Sequence, residues 1–220
     1  MVVMAVDWGS LRRLEPVSRF FGYDRGTPVD RYYIEQFLSQ NADSIRGRVL
    51  EVGDDTYTRR FGGARVTRPD IFHVDPRNSR ATFVGDLCTA ATIPSEIFDC
   101  AIIVQTLQFL SDPLAGLKTL HRILRPSGIL LMTVPGITVL SPESDQWSEM
   151  WLSSFTPSTI RALMEQSFSS ELCAVEVHGN ILAAVCALEG IAVEDVTTGE
   201  LDAHDATYPV VITVRATKQF

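Results

Sequence analysis

The 220-residue sequence lacks several features, and each absence excludes a class of protein. No apolar run approaches the ~18 residues that span a bilayer, and the first residues lack the basic segment of a secretory leader. The four cysteines form no C-x-x-C pair and no histidine lies at metal-ligand spacing, which predicts reduced thiols and no metal site. The formal net charge of −8 argues against nucleic-acid and anionic-membrane partners. We therefore expect a cytoplasmic protein that binds small molecules or other proteins.

What the sequence does contain is a regular alternation of strand-like and helix-like segments. This alternation predicts one doubly wound, Rossmann-like α/β domain over residues 1–220, with a helical N-terminal cap at 1–45 and a core at 46–220. The predicted strands are 49–52, 71–74, 81–84, 98–104, 129–134, 172–177 and 209–216. Hydrophobic residues make up 45% of the chain, which is enough to bury a core of this size.

The turn after the first predicted strand is the most informative stretch. Gly53 permits a sharp turn, but Asp54 and Asp55 follow it in place of the glycines of a G-x-G-x-x-G phosphate site. Two carboxylates beside a phosphate would repel it by roughly 4 kcal/mol per pair. The turn therefore favours a cationic nucleoside without phosphate, such as S-adenosylmethionine, with Asp54 facing the cofactor. A solvated acidic turn that binds no ligand is the alternative.

Residues that follow the other predicted strands extend this nucleoside site. Asp75 lies 22 residues past Gly53, which is the spacing of an acid that accepts hydrogen bonds from ribose hydroxyls. After the third strand, Leu87 can flank an adenine ring while Asp86 accepts from the adenine amino group. Gln105 follows the fourth strand, at the edge where open α/β sheets bind ligands. An acid that merely ends a strand is the alternative for Asp75.

Two further regions predict an acceptor site. The irregular stretch 137–155 is long for a simple connection and carries Trp147 and Trp151, which are candidates for a substrate wall. A predicted helix that can close over the ligand with a tyrosine hydroxyl or an arginine lies at a cluster of Arg25, Arg31, Tyr32 and Tyr33, and Tyr32 is a third substrate candidate. If the acceptor is a hydroxyl, His178 at a strand end is the candidate general base. Core packing or bonding within the fold is the alternative for each of these side chains.

Four motifs together carry a resemblance to a known family. They are VLEVGDD, HVDP, VGDL and the block FDCAIIVQTLQFLSDPLAGLKTLHRILRPSGILLMTVPG. From about residue 46 onward the chain resembles the class I S-adenosylmethionine-dependent methyltransferases, and specifically their small-molecule members. The segment DRGTPVDRYYIEQFL is similar to bacterial methyltransferases encoded near glycan or natural-product assembly enzymes. The resemblance implies S-adenosylmethionine as cofactor, a sugar or natural-product intermediate as acceptor, and a seven-stranded, mostly parallel sheet with an antiparallel last strand.

The resemblance also assigns individual residues. Those matching family cofactor positions are Glu51, Gly53, Asp75, Asp86 and Gln105. The first motif departs from the family pattern E-x-G-x-G-x-G, because Asp55 and Tyr57 replace the second and third glycines. The methionine end of the cofactor must therefore be held in a different way.

Two rival functions remain open at this stage. The first is a protein of the same fold that has lost methyl transfer and serves as a partner subunit or catalyses another reaction, as the altered first motif allows. The second is a nicotinamide-dependent oxidoreductase, which the missing G-x-G-x-x-G and the paired aspartates disfavour. The sequence leaves the acceptor, the methylated atom and the oligomeric state open.

Overall fold

A computed structural model describes residue 9 and the ranges 12–141 and 148–219. Its centre is a seven-stranded sheet of order β3-β2-β1-β4-β5-β7-β6. The strands are β1 Gly47–Val52, β2 Val66–His73, β3 Phe83–Val84, β4 Phe98–Val104, β5 Leu124–Pro135, β6 Cys173–His178 and β7 Val211–Thr217. Neighbouring strands pair in parallel except that β7 runs antiparallel to both β5 and β6. The predicted Rossmann-like sheet with an antiparallel last strand is confirmed.

Five α-helices accompany the sheet in the described part of the chain. They are α1 Val29–Gln40, α2 Pro113–Ile123, α3 Pro157–Glu165, α4 Ile181–Glu189 and α5 Thr198–Asp202. Helices α2 and α3 each begin with proline after a side-chain cap, since Asp112 accepts from the Ala115 N–H and Thr156 from the Thr159 N–H. None of the described helices has the length and apolar character needed to cross a membrane.

The β1–β3 side of the sheet carries little helix. After β1 the chain forms only a short helical segment that includes the π-helical turn Thr58–Gly62. The connections 74–82 and 85–97 contain turns and no α-helix. The carboxyl ends of β1, β2 and β3 are therefore bordered by loops.

The hydrophobic core has two layers, one on each face of the sheet. Along β4, Cys100 and Ile102 pack with α1 and α4, whereas Ala101 and Ile103 pack with α2 and α3. This alternation follows from the two-residue period of a strand and explains why the sequence of β4 is apolar throughout. All four cysteines are free thiols in the structure.

The chain before α1, residues 13–27, forms a strap that is bound to the end of α4 and the residues after it. The Ser18 N–H donates to the Glu189 carbonyl at 3.0 Å, and the Val193 N–H donates to the Thr27 carbonyl at 2.8 Å. Arg25 donates from Nε and Nη2 to Asp195 at 3.0 Å each. These contacts connect parts of the chain about 170 residues apart and fix the strap beside the sheet.

Candidate cofactor and acceptor site

A cavity of about 920 Å³ lies at the carboxyl ends of β1 to β4. Its inner wall includes Gly53 after β1, His73 at the end of β2, Asp86 and Leu87 after β3, and Gln105 after β4. Loops at this edge of a parallel sheet diverge and leave a crevice, which is where open α/β proteins bind ligands. The volume is near the upper end of the 300–1,000 Å³ typical of small-molecule sites, so it has room for two ligands.

The opposite wall is largely aromatic and aliphatic. It is formed by Phe20, Phe21, Tyr23, Phe109, Ile137, Met150 and Trp151. The Trp151 ring meets Phe109 edge-on at 5.4 Å, and its indole N–H donates to the Ser153 carbonyl at 3.1 Å. Trp151 therefore lines the same cavity as Gly53 and Gln105. Trp147 lies outside the described residues.

The turn after β1 is held by two carboxylates. The Glu51 side chain is buried, and its oxygens accept from the Tyr57 N–H at 3.1 Å and the Thr58 N–H at 2.7 Å. Burial raises the pKa of Glu51 to about 7. Asp54 accepts from the Thr56 N–H at 2.8 Å. Gly53 lines the cavity with φ +94°, a conformation that favours glycine, whereas Glu51 and Asp54 are not among the described lining residues.

The neighbouring carboxylate changes the charge argument made from the sequence. Asp55 is buried, with only 3% of its surface exposed, and it pairs with both Arg59 and Arg80. Asp55 therefore presents no unpaired negative charge to a ligand. Of the two aspartates, only Asp54 is exposed. The turn therefore repels a phosphate less strongly than two exposed carboxylates would.

Asp75 lies on the loop after β2, at the edge of the cavity. Its carboxylate accepts from Arg77 Nη2 at 2.5 Å and from the Arg77 backbone N–H at 2.8 Å. These hydrogen bonds lower the pKa of Asp75 to about 2, so the group is ionised at neutral pH. The adjoining His73 and Val74 line the cavity, but Asp75 does not in the part of the chain that is described.

Two glutamines at the end of β4 form a polar floor. Gln105 has a left-handed backbone with φ +47°, and the Gln108 Nε2 lies 3.5 Å from the Gln105 Oε1. The remaining amide atoms, Gln105 Nε2 and Gln108 Oε1, are buried and have no hydrogen-bond partner within the described residues. If nitrogen and oxygen are exchanged in both side-chain amides, one amide donor and one amide acceptor still lack a partner. The sequence analysis missed Gln108, although its spacing of three residues from Gln105 was visible.

Two predicted site residues lie elsewhere. The Tyr32 hydroxyl donates to Asp202 at 2.6 Å. The His178 Nε2 is 2.9 Å from the Thr213 hydroxyl, and its ring stacks on Tyr33 beside a separate crevice of about 100 Å³. Neither Tyr32 nor His178 is among the described residues that line the large cavity. The structure thus does not bring these two candidates to the predicted cofactor residues.

The strap and the start of α1 contribute the charged groups of the outer wall. Asp24, Asp30 and Arg31 all line the cavity. Burial raises the pKa of Asp30, against the opposing effect of the Arg31 charge. With Asp86, the described lining contains three carboxylates and one arginine, a balance that suits a cationic ligand.

Comparisons with known proteins agree with this geometry. Residues 52–132 match the family model of the methyltransferase domain. The fold is similar to an S-adenosylmethionine-dependent methyltransferase from Mesorhizobium loti, with a TM-score of 0.57 and 16% identity over 89% of this chain and 100% of that one. It is also similar to an S-adenosylmethionine-dependent methyltransferase of Thermotoga maritima, described as a possible histamine N-methyltransferase, with a TM-score of 0.55 and 21% identity over 90% and 94% of the two chains.

A third structure of this fold has a different activity in its name. The [4+2]-cyclase SpnF gives a TM-score of 0.55 and 13% identity over 94% of this chain and 88% of that one. No curated protein matches the sequence significantly.

The sheet order and the cavity at the strand ends are those of the class I S-adenosylmethionine-dependent methyltransferase fold, and residues 52–132 match the methyltransferase domain. The chain carries the methyltransferase domain over residues 52–132, and its cofactor is S-adenosylmethionine. The cavity fits that cofactor: its lining is acidic, and the polar floor has a buried amide donor and acceptor without protein partners in the described chain.

Proposed function

We propose that the protein methylates a small, largely apolar acceptor, such as a natural-product intermediate, bound against the aromatic wall. The observation that carries this proposal is the extent of the cavity. It continues from the cofactor residues at the strand ends to Phe109, Met150 and Trp151. An apolar wall favours an acceptor with aromatic or aliphatic surface over a free sugar, because burial of apolar area supplies the binding free energy.

When bound, S-adenosylmethionine would supply an electrophilic methyl group for in-line transfer to an acceptor lone pair, with S-adenosylhomocysteine as the leaving group. The contribution of the chain is to orient the two ligands and exclude water, and such positioning can supply most of the rate enhancement. Trp151 is suited to this role because Phe109 and the Ser153 carbonyl fix its ring. His73, which lines the cavity, is tied to the next loop, since its Nδ1 lies 2.9 Å from the Asp75 backbone nitrogen.

The test is turnover with two acceptor panels, hydroxylated aromatic compounds and free monosaccharides, measured as release of S-adenosylhomocysteine. We expect product only with the apolar panel.

Trp151→Ala should lower turnover at least about tenfold while the Kd of S-adenosylhomocysteine changes less than about twofold. Leu152→Ala is the matched control, since this neighbouring side chain is 57% exposed and is not among the described lining residues. Turnover with sugars alone, or an equal loss of cofactor affinity in Trp151→Ala, would contradict the proposal.

A protein that binds the cofactor without transferring its methyl group is the second candidate. The observation that favours it is the turn after β1, where Glu51 and Asp54 already occupy the backbone N–H groups of residues 56–58. The neighbour named as a [4+2]-cyclase has the same fold. Binding of S-adenosylmethionine with no S-adenosylhomocysteine from any acceptor would support this candidate over methyl transfer.

A further inference from the structure

The turn after β1 has few free donors for a ligand. The backbone N–H groups of Thr56, Tyr57 and Thr58 all donate to protein carboxylates. The Gly53 N–H donates to the Phe72 carbonyl at 2.9 Å. A glycine-rich turn binds an anionic group through such N–H donors, and these four N–H groups could bind one only by breaking their own hydrogen bonds. The carboxylate at the methionine end of the cofactor therefore has fewer backbone donors here, and a side-chain donor can take their place.

Arg31 is the only lysine or arginine among the described residues that line the cavity. Its Nε donates to the Tyr23 hydroxyl at 3.1 Å and its Nη1 to the Tyr57 hydroxyl at 3.1 Å. Tyr57 stands at the position of the third glycine in the family pattern. The arginine thus reaches from the start of α1 to the turn after β1. The predicted ribose and adenine contacts follow β2 and β3, so the methionine moiety is expected at the end of β1.

The bonding of Arg31 differs from that of other arginines in the molecule. Arg25, Arg48, Arg60 and Arg125 each donate to a carboxylate at 3.3 Å or less. The nearest carboxylate oxygen to Arg31 among the described residues belongs to Asp30, at 3.9 Å, which is too long for a hydrogen bond. The two tyrosine hydroxyls accept only two of the five N–H donors of the guanidinium, and Asp30 pairs with it by charge alone, so donors remain for a ligand.

We propose that Arg31, positioned by Tyr23 and Tyr57, binds the methionine carboxylate of S-adenosylmethionine and replaces the backbone donors of the altered first motif. A guanidinium presents paired N–H groups that match a carboxylate in a bidentate geometry. The methionine end is a zwitterion, and Asp30 beside Arg31 offers a carboxylate for its ammonium group. This inference rests on the cofactor assignment and adds to it the residue that recognises the amino-acid end.

The test compares two ligands that differ in the amino-acid end. S-adenosylhomocysteine carries the carboxylate and the ammonium group, whereas 5′-methylthioadenosine carries neither. In calorimetric titrations, Arg31→Gln should raise the Kd of S-adenosylhomocysteine by roughly 10- to 100-fold, as expected for losing a charged hydrogen bond. The Kd of 5′-methylthioadenosine should stay within about twofold. Tyr57→Phe should give a smaller loss confined to S-adenosylhomocysteine, because the guanidinium keeps its charge but loses one support.

Arg125→Gln is the matched control, since Arg125 pairs with Asp99 and is not among the described residues that line the cavity. It should leave both affinities unchanged. Equal weakening of both ligands by Arg31→Gln would mean that Arg31 only packs the wall, and unchanged affinity for S-adenosylhomocysteine would overturn the proposal directly. If the unaltered protein binds neither ligand, the cofactor assignment fails instead, so the two failures are distinguishable.

Discussion

At the scale of single residues, the polar floor of the cavity contains buried amide groups without hydrogen-bond partners among the described residues. The Gln108 side chain is 1% exposed, yet its Oε1 has no partner in the described chain. An unsatisfied buried acceptor costs about 1–3 kcal/mol, and burial next to a ligand site is where such a cost is tolerated.

Gln108→Leu should therefore leave the free energy of unfolding unchanged or raise it by about 1 kcal/mol, as measured by urea denaturation. Asn180→Leu is the contrasting variant, because this buried amide accepts from the Ala183 N–H and donates to the Glu200 and Ala203 carbonyls. It should cost about 2–3 kcal/mol. A loss of similar size in Gln108→Leu would show that Gln108 is bonded in the free protein.

Glu51 gives a pH-dependent prediction. Burial raises its pKa from 4.5 to about 7 in the folded protein, so folded chains hold a proton that unfolded chains release between these values. The Glu51 contribution to stability is therefore fully present below pH 4.5 and is lost as the pH rises through 7.

Relative to Glu51→Gln, the unaltered protein should lose about 2 kcal/mol of unfolding free energy between about pH 5.5 and about pH 8. The measurement is the difference between the urea midpoints of the two proteins, multiplied by the m value, at several pH values. The difference itself is the readout, because effects of all other groups cancel. Parallel pH profiles would show that Glu51 is already ionised in the folded protein at the acidic end of this range.

At the scale of elements, the strap depends on a close contact with the end of α4. Gly190 caps α4 with φ +66°, and a Cβ at this position would lie 2.4 Å from the Ser18 carbonyl oxygen. Because the strap carries Phe20, Phe21 and Tyr23 to the cavity, the packing of this one glycine positions one wall of the site.

Gly190→Ala should destabilise the fold by about 2 kcal/mol or more, from left-handed strain plus displacement of the strap. Amide hydrogen exchange over residues 17–26 should accelerate as the strap loosens. Gly199→Ala is the control, since a Cβ added at Gly199 would meet no described atom within 4 Å and the φ of this residue is not positive. Its effect should stay within about 0.5 kcal/mol. Unchanged exchange in Gly190→Ala would show that the strap is held independently of α4.

The bounds of the strands show which parts of the sheet can be predicted from local sequence patterns. The fourth strand was predicted at 98–104 and is found at Phe98–Val104, because a strand buried on both faces is apolar throughout. The second strand begins at Val66, five residues before the predicted start, because Arg68 and Pro69 pair with β1 while remaining exposed. Periodicity detects burial, and an exposed but paired strand end gives no such signal.

At the scale of the whole molecule, the mostly parallel sheet with its antiparallel last strand was predictable, and so was a ligand crevice at the strand ends, whereas the partners of charged side chains were not. The pairing of Asp55 with Arg80 spans 25 residues, and the strap contacts span about 170. Such contacts depend on the three-dimensional path of the chain. Sequence patterns therefore indicated the sheet edge where the cavity lies, but they misjudged the charge of its first turn and gave no weight to Gln108.

The anchoring of the strap also limits when, during synthesis of the chain, the strap can take up its position. Ser18 can bond to Glu189 only after residue 189 has been synthesised, whereas β1 to β4 and the turns between them precede residue 105. The strand ends from β1 to β4 that border the cavity are thus synthesised before the residues that anchor its outer wall. The strap leaves the ribosome before any strand of the sheet, but it can take up its position beside the cavity only once the end of α4 is present.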